Sequence, residues 1–474
     1  MTSPTADLTT HPWFFCGIGG SGMLPLALLL RGRSATIAGS DRSRDQGRSR
    51  EKFAWLEAQG IALHPQDGSG IVTAQQTLVA SAAVEDSVPE VVRARELGCA
   101  RMSRAELLAT LFNAAPASIA VGGTSGKSTV TGMVGWILCE TGRDPTIVNG
   151  AVMKNFVAAD APFASARVGR GDAFVSEVDE SDGSIALYRP AVAVLNNVTL
   201  DHKSLEELRE LFGDFLARAG TAAVNLDDPE AADLLPRAAN VITFGESSGA
   251  EIGCSGVEDG PDGVTATIED RRDETTHALS LQLPGRHNLA NALAAIAGAS
   301  AAGVPVSDAV AALGGFAGLA RRFDIIGTSS SGITVIDDFG HNPDKVAATL
   351  DTLRAAVDRH GGRILAFFQP HGFGPLKQMG RELATTFVQK TTADDLVLLC
   401  DPVYFGGTVD RSVGSAQIVE LIAGAGGNAE YIPDRVGCGD RLVDLARPGD
   451  RVVIMGARDD TLSDFAQGVL KRLG

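Results

Sequence analysis

The sequence predicts an α/β fold with mostly parallel sheets, divided into three domains. Short apolar strands alternate with helical patterns along the chain, as in βαβ units. Two glycine-rich turns, at residues 17–22 and 122–126, each follow an apolar strand and precede a helix. Because the chain has 474 residues and domains usually contain about 100–200, we expect three of them.

Strand-turn-helix patterns mark the starts of the predicted domains. The first opens with a strand at 13–16, the second with a strand at 118–121 and the third with a strand at 332–337. We predict a Rossmann-like N-terminal domain, a central domain around a phosphate loop with a mostly parallel sheet, and a Rossmann-like C-terminal domain. Their predicted ranges are 1–113, 114–324 and 325–474.

The composition excludes several classes of protein. With 41 basic and 58 acidic residues the net charge is −17, which would repel a nucleic-acid backbone or an anionic membrane. The six cysteines are scattered without a CxxC pair, so neither a zinc site nor a disulfide framework is indicated. The N-terminal sequence has no basic segment followed by a long apolar run. We expect a cytoplasmic protein with no nucleic-acid or membrane partner.

Residues 122–129, with the sequence GGTSGKST, are typical of a phosphate-binding loop. Consecutive backbone N–H groups and the dipole of the following helix can hold a polyphosphate there. Lys127 would supply positive charge at the transferring phosphate, and Ser128 stands where such loops bind Mg²⁺. Val121 replaces the first glycine of the general pattern, so the loop is one residue shorter. The predicted nucleotide contacts are Gly123, Thr124, Gly126, Lys127, Ser128 and Thr129.

The first glycine-rich turn, Gly17-x-Gly19-x-x-Gly22, matches a dinucleotide-binding fingerprint. Asp41 follows about 20 residues further on, where an acid that binds the ribose is expected. These features support an alternative interpretation, an NAD-dependent dehydrogenase. That interpretation leaves the second glycine loop unexplained.

Nine short motifs, taken in order along the chain, resemble those of the Mur ligase family. They are GIGGSGM at 17–23, GSD at 39–41, the phosphate loop, DPTIVNG at 144–150, EVDESD at 177–182, DH at 201–202, GRHN at 285–288, RRF at 321–323 and DDFGH at 337–341. The resemblance covers nearly the whole chain and is closest to the branch that adds L-alanine and to its relative that recycles murein peptides. It implies an ATP-dependent ligase of peptidoglycan precursor synthesis, which joins the carboxylate of UDP-N-acetylmuramate to an amine.

The resemblance also implies roles for residues around ATP. Glu177 and His202 would complete the Mg²⁺ shell that Ser128 begins. Arg322 would reach the γ-phosphate, and Asp337 would hold the ribose. The residues expected to border the adenine are His287, Asn288 and Asn291.

The acidic motif at 177–182 has a predicted geometry of its own. Residues 174–179 have the pattern of a strand, so Glu177 and Asp179 would project from one face near its carboxyl end. Ligands of α/β sheets bind at such strand ends, which favours a binding site over a solvated acidic turn.

For the UDP-sugar, the resemblance implies that the first glycine loop cradles the diphosphate. Ser81, at the end of a predicted strand, and Lys154 would contact the same UDP-sugar. The implied substrate contacts are Gly17, Gly19, Gly20, Ser21, Gly22, Met23, Ser40, Asp41, Ser81 and Lys154.

The sequence departs from the family pattern near the expected acceptor pocket. Ser125 stands where the L-alanine branch usually has His, and Phe339 where it usually has Tyr. The stretch after Gln369-Pro-His371, where the branch carries arginines, reads GFGPLK. Guanidinium groups suit an amino-acid carboxylate because they bind it with two parallel hydrogen bonds. The residues expected to line this pocket are His371, Lys377 and Arg458, and Arg411 is a further available cation.

The implied mechanism has two steps. The γ-phosphoryl group of ATP moves onto the carboxylate to give an acyl phosphate and ADP; the amine then displaces phosphate to form an amide. His341 is a candidate for the base that receives the amine proton. The identity of the acceptor stays open between a small amino acid and a peptide. Two related functions also stay open, a murein-peptide ligase and a ligase for a different acid-amine pair. The sequence does not decide between a monomer and a homodimer. A protein that binds nucleotide without turnover is disfavoured, because the expected catalytic and metal-binding residues are all present: Lys127, Ser128, Glu177 and His202.

Overall fold

The computed structural model describes residues 11–81, 84–199, 203–260, 263–403 and 410–474. The described strands form three sheets of five, ten and six strands. The first two sheets belong to one compact unit, and the third belongs to a second unit formed mainly by Leu319–Gly474. In the described part of the chain, no helix is long and apolar enough to cross a membrane.

The first sheet is parallel, with the strand order β3-β2-β1-β4-β5. Its central strand is the apolar run that the sequence predicted, and four of its five residues are buried. The strands are β1 Pro12–Cys16, β2 Thr36–Ser40, β3 Ala62–His64, β4 Thr77–Ala80 and β5 Ala100–Ser103. The helices are α1 Met23–Gly32, α2 Arg42–Asp45, α3 Arg50–Ala58, α4 Pro89–Leu97 and α5 Arg104–Asn113.

The second sheet has the order β15-β14-β13-β12-β11-β10-β6-β9-β7-β8, and its centre is parallel. Helix α7 begins with a capping box of Ser204 and Glu207, two residues whose types and spacing are typical of a helix start. The strands are β6 Ala117–Gly122, β7 Thr146–Val148, β8 Ala166–Arg167, β9 Ala173–Glu177, β10 Val192–Leu195, β11 Thr221–Asn225, β12 Val241–Phe244, β13 Ile252–Gly260, β14 Gly263–Asp270 and β15 Thr275–Leu281. The helices are α6 Lys127–Glu140, α7 Leu205–Ala217, α8 Pro229–Ala232, α9 Arg286–Ala301 and α10 Val306–Leu313.

The expected strand at 174–179 is shorter than predicted. β9 ends at Glu177, and the N–H of Val178 then donates to the carbonyl of Val121 at 3.0 Å. The chain turns at Asp179, whose carboxylate accepts from the N–H of Ser181 at 2.9 Å. Glu177 therefore projects from a strand end, as predicted, but Asp179 belongs to the turn and closes it.

The first two sheets share an apolar core. The ring centroid of Phe112, in the last turn of α5, lies 5.5 Å from that of Phe174 and 5.2 Å from that of Tyr188. All three side chains are buried, and each such burial stabilises by roughly 1.5–3 kcal/mol. The predicted boundary between residues 113 and 114 thus falls inside one compact unit.

The third sheet has the order β16-β17-β21-β18-β19-β20 and carries apolar clusters on both faces. β16 is an antiparallel edge strand that the sequence reading did not predict, since its residues are only half-buried. The strands are β16 Asp324–Thr328, β17 Thr334–Asp338, β18 Ile364–Gln369, β19 Leu396–Leu399, β20 Ala429–Tyr431 and β21 Arg451–Gly456. The helices are α11 Pro343–His360, α12 Phe373–Lys390, α13 Ser415–Gly424, α14 Arg435–Leu445 and α15 Thr461–Leu473.

Candidate active site

The second glycine loop joins the end of β6 to the start of α6, at the centre of the ten-stranded sheet. Gly123 has φ +132°, and a Cβ atom there would lie 3.2 Å from the backbone of Asn197. Gly126 has φ +82°, and a Cβ atom there would lie 2.6 Å from the amide nitrogen of Asn196. Both positions therefore require glycine, and the loop leads directly into the N-terminus of α6, where anions are favoured.

Two asparagines hold this loop from behind. The Asn197 side-chain oxygen accepts from the N–H of Ser125 at 2.8 Å and from the hydroxyl of Thr124 at 3.0 Å. The Asn196 side-chain amide donates to the carbonyl of Ser125 at 3.2 Å and to the side-chain oxygen of Asn291 at 3.0 Å. The sequence reading missed both asparagines. They follow β10, a neighbour of β6, so the strand-end rule that identified Glu177 could have found them.

Asn288 and Asn291, expected near the adenine, lie on α9 and are buried. The Asn291 amide lies 3.4 Å from the Asn288 oxygen, while its own oxygen supports the loop through Asn196. The structure thus gives Asn291 a supporting role at the back of the loop. Its predicted contact with the adenine stays a prediction.

Ser128 and Glu177, two predicted metal ligands, lie side by side. The Ser128 hydroxyl donates to Glu177 Oε2 at 2.7 Å. Asn149 fixes this arrangement, since its side-chain amide donates to the carbonyl of Ser128 at 2.9 Å. A hydroxyl and a carboxylate at the start of a phosphate-loop helix form an oxygen donor set of the kind that Mg²⁺ prefers. The third predicted ligand, His202, lies outside the described residues.

Lys127 is already engaged within the protein. Its Nζ atom donates to both carboxylate oxygens of Glu180, at 2.7 and 3.0 Å, and to the carbonyl of Gly123 at 2.7 Å. Glu180 is only 3% exposed. Glu180 belongs to the acidic motif but received no role from the sequence, because nothing in local spacing indicates a partner 53 positions away.

The first glycine loop is closed by Asp41. One carboxylate oxygen accepts from the N–H of Gly19 at 2.8 Å, and the other from the N–H of Ser43 at 2.8 Å. Asp41 is 7% exposed. An acid that binds a ribose needs an accessible carboxylate, so this arrangement disfavours the dehydrogenase interpretation. Asp41 instead stabilises the conformation of the loop.

The other predicted UDP-sugar residues divide by exposure. Gly20 and Ser21 form the exposed tip of the loop, and Gly22 precedes α1. Gly17 donates its N–H to the carbonyl of Ser40 at 2.8 Å. The buried residues Ser40 and Met23 thus support the loop, while Ser81, after β4, is partly buried and Lys154 is exposed.

In the second unit, the predicted residues form a cluster around Phe339. The guanidinium of Arg322 lies 4.2 Å from the Phe339 ring centroid, a cation–π distance. The ring of His341 lies 5.3 Å from Phe339 and 5.0 Å from His371. These contacts bring together Arg322, His341 and His371.

Asp337 lies inside the second unit rather than on its surface. Its Oδ2 atom accepts from the Ser463 hydroxyl at 2.6 Å, and its Oδ1 atom lies 3.5 Å from Arg321 Nε. Asp337 is 0% exposed, and burial raises its pKa. A ribose could reach this carboxylate only if it were uncovered, so the predicted contact stays a prediction.

Burial, and after it the charge of Lys345, lowers the pKa of His341 to about 3. His341 Nδ1 lies 2.9 Å from the carbonyl of Phe339, so the neutral ring carries its proton on Nδ1 and leaves Nε2 as an acceptor. A group with so low a pKa is a weak base near neutral pH. This environment disfavours His341 as the residue that receives the amine proton.

The depressed pKa of His341 predicts acid destabilisation. Below about pH 6.5 the unfolded chain binds a proton at this position that the native chain does not. Stability is therefore lost as the pH falls from 6.5 towards 3, by about 2 kcal/mol between pH 7.5 and 5. Denaturant unfolding of the wild type and of His341→Gln at both pH values measures this, and the variant should lose less stability. His360→Gln, which changes an exposed histidine at the end of α11, is the control. Equal losses in all three proteins would contradict the assignment.

The predicted acceptor-binding cations differ in their surroundings. Lys377 pairs with Asp410 at 2.5 Å. Arg458 follows β21, is exposed and has φ +63°. Within the described residues, no ion pair involves Arg458. Of the two, Arg458 is therefore the one more readily available to a ligand.

Comparison with known proteins agrees with this architecture. The description "Mur ligase family, catalytic domain" matches residues 14–115, "Mur ligase middle domain" matches residues 121–299, and "Mur ligase, glutamate ligase domain" matches residues 321–458. The chain belongs to the Mur ligase family. The predicted family, the three-domain α/β fold and the reaction class, a ligase that depends on ATP, are thereby confirmed.

Within the family, the chain is similar to UDP-N-acetylmuramate–L-alanine ligases. That of Clavibacter sepedonicus is 36% identical, with 97% of this chain and 92% of that protein covered. That of Caulobacter vibrioides is 35% identical, with 96% and 95% covered.

Two solved structures share the fold. The UDP-N-acetylmuramate–alanine ligase of Thermotoga maritima has a TM-score of 0.79 at 24% identity, with 97% of this chain and 98% of that chain covered. The murein peptide ligase of Psychrobacter arcticus has a TM-score of 0.71 at 24% identity, with 98% and 99% covered.

Proposed function

We propose that this protein is an ATP-dependent ligase that joins the carboxylate of UDP-N-acetylmuramate to the amine of L-alanine or a related acceptor. The observation that carries the proposal is the phosphate loop, in which Lys127 Nζ donates to the carbonyl of Gly123 and the Ser128 hydroxyl donates to Glu177. The first glycine loop, expected to hold the UDP-sugar, lies in the same compact unit. The relatives at 35–36% identity, named for this reaction, support the choice of donor and acceptor.

In the proposed reaction, an oxygen of the substrate carboxylate attacks the γ-phosphorus of ATP, and the bond to the bridging oxygen of ADP breaks. This step converts a carboxylate, which is a poor electrophile, into an acyl phosphate. Lys127 stabilises the negative charge that spreads over the transferring oxygens. The amine then attacks the acyl carbon and loses a proton, and inorganic phosphate leaves to give the amide.

The site also fits a magnesium ion. Ser128 and Glu177 would hold it, and the role of His202 stays a prediction. When bound, Mg²⁺ would neutralise phosphate charge. Both residues are positioned by the protein itself. Asn149 holds the backbone of Ser128, and Glu177 projects from the end of β9.

Water exclusion explains why such an enzyme needs several domains. An acyl phosphate is hydrolysed by water, so the amine must reach it in a closed site. We infer that the domains at 1–113, 114–324 and 325–474 bind the UDP-sugar, ATP and the acceptor respectively. We infer that this reaction takes place in the cytoplasm.

The proposal predicts which ligand the first glycine loop binds. Isothermal titration calorimetry should detect UDP-N-acetylmuramate and no NAD, because the Asp41 carboxylate is occupied by its own loop. Phosphate release from ATP and Mg²⁺ should then require both UDP-N-acetylmuramate and an amine acceptor. A panel of UDP-sugars and amines in one assay identifies the pair. Tight NAD binding without UDP-sugar binding would refute the proposal.

A further inference from the structure

The Lys127–Glu180 pair lies at the loop that is expected to bind the phosphates of ATP. An ammonium group has three N–H donors. The structure directs them to the two Glu180 oxygens and to the carbonyl of Gly123, all within 3.0 Å. Lys127 therefore starts with its donors satisfied, and a bound phosphate has to replace at least one of these partners.

The carboxylate is the fixed member of the pair. The turn that carries Glu180 is closed by its own backbone, since the N–H of Gly183 donates to the carbonyl of Glu180 at 3.2 Å and the N–H of Ile185 to the carbonyl of Asp179 at 3.0 Å. Lys127 has a long flexible stem at the first position of α6, and its side chain is 19% exposed against 4% for Glu180. The lysine side chain is thus the part that can move.

We propose that Glu180 is a positioning residue that holds Lys127 in the nucleotide-free protein, so that nucleotide binding exchanges one anion for another on the same ammonium group. This inference rests on the proposed function. Glu180 sets the affinity for ATP by competing with its phosphates. It also keeps an otherwise uncompensated cation paired until the nucleotide arrives.

The exchange has a consequence that a purely structural role would not have. Glu180→Gln keeps the size and a hydrogen-bond acceptor but removes the charge. Because an ammonium–carboxylate ion pair is stronger than a hydrogen bond between an ammonium and a neutral amide, Lys127 should then leave more easily. We expect the variant to bind a non-hydrolysable ATP analogue with Mg²⁺ about five- to tenfold more tightly than the wild type. A carboxylate that merely stabilises the turn would weaken binding when it is removed.

The decisive experiment is a double-mutant cycle, with calorimetric titration of the analogue into four proteins: wild type, Glu180→Gln, Lys127→Ala and the double variant. We expect Glu180→Gln to tighten binding in the presence of Lys127 and to change nothing in its absence. Equal tightening in both backgrounds would overturn the proposal, because it would show direct repulsion between Glu180 and the phosphates. Unchanged or weaker binding by Glu180→Gln would overturn it as well.

Asp182→Asn is the matched control, since it removes the same charge from the same turn. Its carboxylate lies 3.7 Å from Arg104 and is 32% exposed, so it should alter affinity by less than twofold. If Glu180→Gln does not fold, Glu180→Asp retains the charge but shortens the reach, and it should tighten binding by a smaller factor. Failure of the wild type itself to bind the analogue would count against the proposed function, which separates the two questions.

Discussion

Lys127→Ala is expected to lower the rate of ATP-dependent ligation by at least about 100- to 1,000-fold, the effect of removing one donor that stabilises transition-state charge. Lys127 contributes little to the apolar core, because it lies at the first residue of α6 with its charged end at the loop. The loss should appear mainly in kcat, measured as phosphate release with UDP-N-acetylmuramate and L-alanine.

The control for this prediction must separate catalysis from stability, since Lys127→Ala leaves the buried Glu180 without its partner. Thermal unfolding of the variant shows whether it is folded at the assay temperature. Lys471→Ala removes an exposed lysine near the end of α15 and should keep full activity. A folded Lys127→Ala protein with substantial ligase activity would show that the phosphate loop is not the catalytic site.

Local patterns predicted the parts of the site that depend on local geometry. The loop around Gly126 could be recognised because its positive φ demands glycine and its flanking strand and helix have clear periodicity. The position of Glu177 at the end of a strand followed from a topological rule, since ligands of α/β sheets bind at the carboxyl ends of parallel strands. Its pairing with Ser128 was implied by the family resemblance. The capping box at Ser204 was readable from two residues three positions apart.

What the sequence reading missed depends on contacts between distant positions. Glu180 meets Lys127 across 53 positions, and Asp337 meets Ser463 across 126. The hydrophobic periodicity of the sequence carries no information on such distant pairs. The ion pair of Lys127 with Glu180 and the burial of Asp337 therefore could not be predicted. The apolar contact of Phe112 with the second sheet is of the same kind. It joins the first two sheets in one apolar core.

We predict that the acceptor pocket of this chain differs from that of the L-alanine branch, and that removal of Arg458 reveals the difference. The stretch after His371 contains glycine, phenylalanine and proline, where the resemblance to the family implies arginines. Lys377 is paired with Asp410, whereas Arg458 is exposed and close to the end of β21. We propose that Arg458 supplies the cation for the acceptor carboxylate.

Losing a charge-assisted contact of this kind costs about 1.5–3 kcal/mol. Arg458→Ala should therefore raise the KM for the acceptor by about 10- to 100-fold and leave the KM for ATP within about twofold. Arg458→Lys should recover only part of the loss, because an ammonium cannot form two parallel hydrogen bonds with a carboxylate. Lys377→Ala tests the other predicted cation and should raise the KM for the acceptor by less, because Lys377 is paired with Asp410. Lys471→Ala, which removes an exposed lysine near the end of α15, is the control. The same assays across amino acids and a murein peptide should show weaker use of L-alanine or preference for another amine. The prediction is contradicted if the protein uses L-alanine with ordinary efficiency and Arg458→Ala does not change the KM for the acceptor. The stretch after His371 would then lie away from the acceptor.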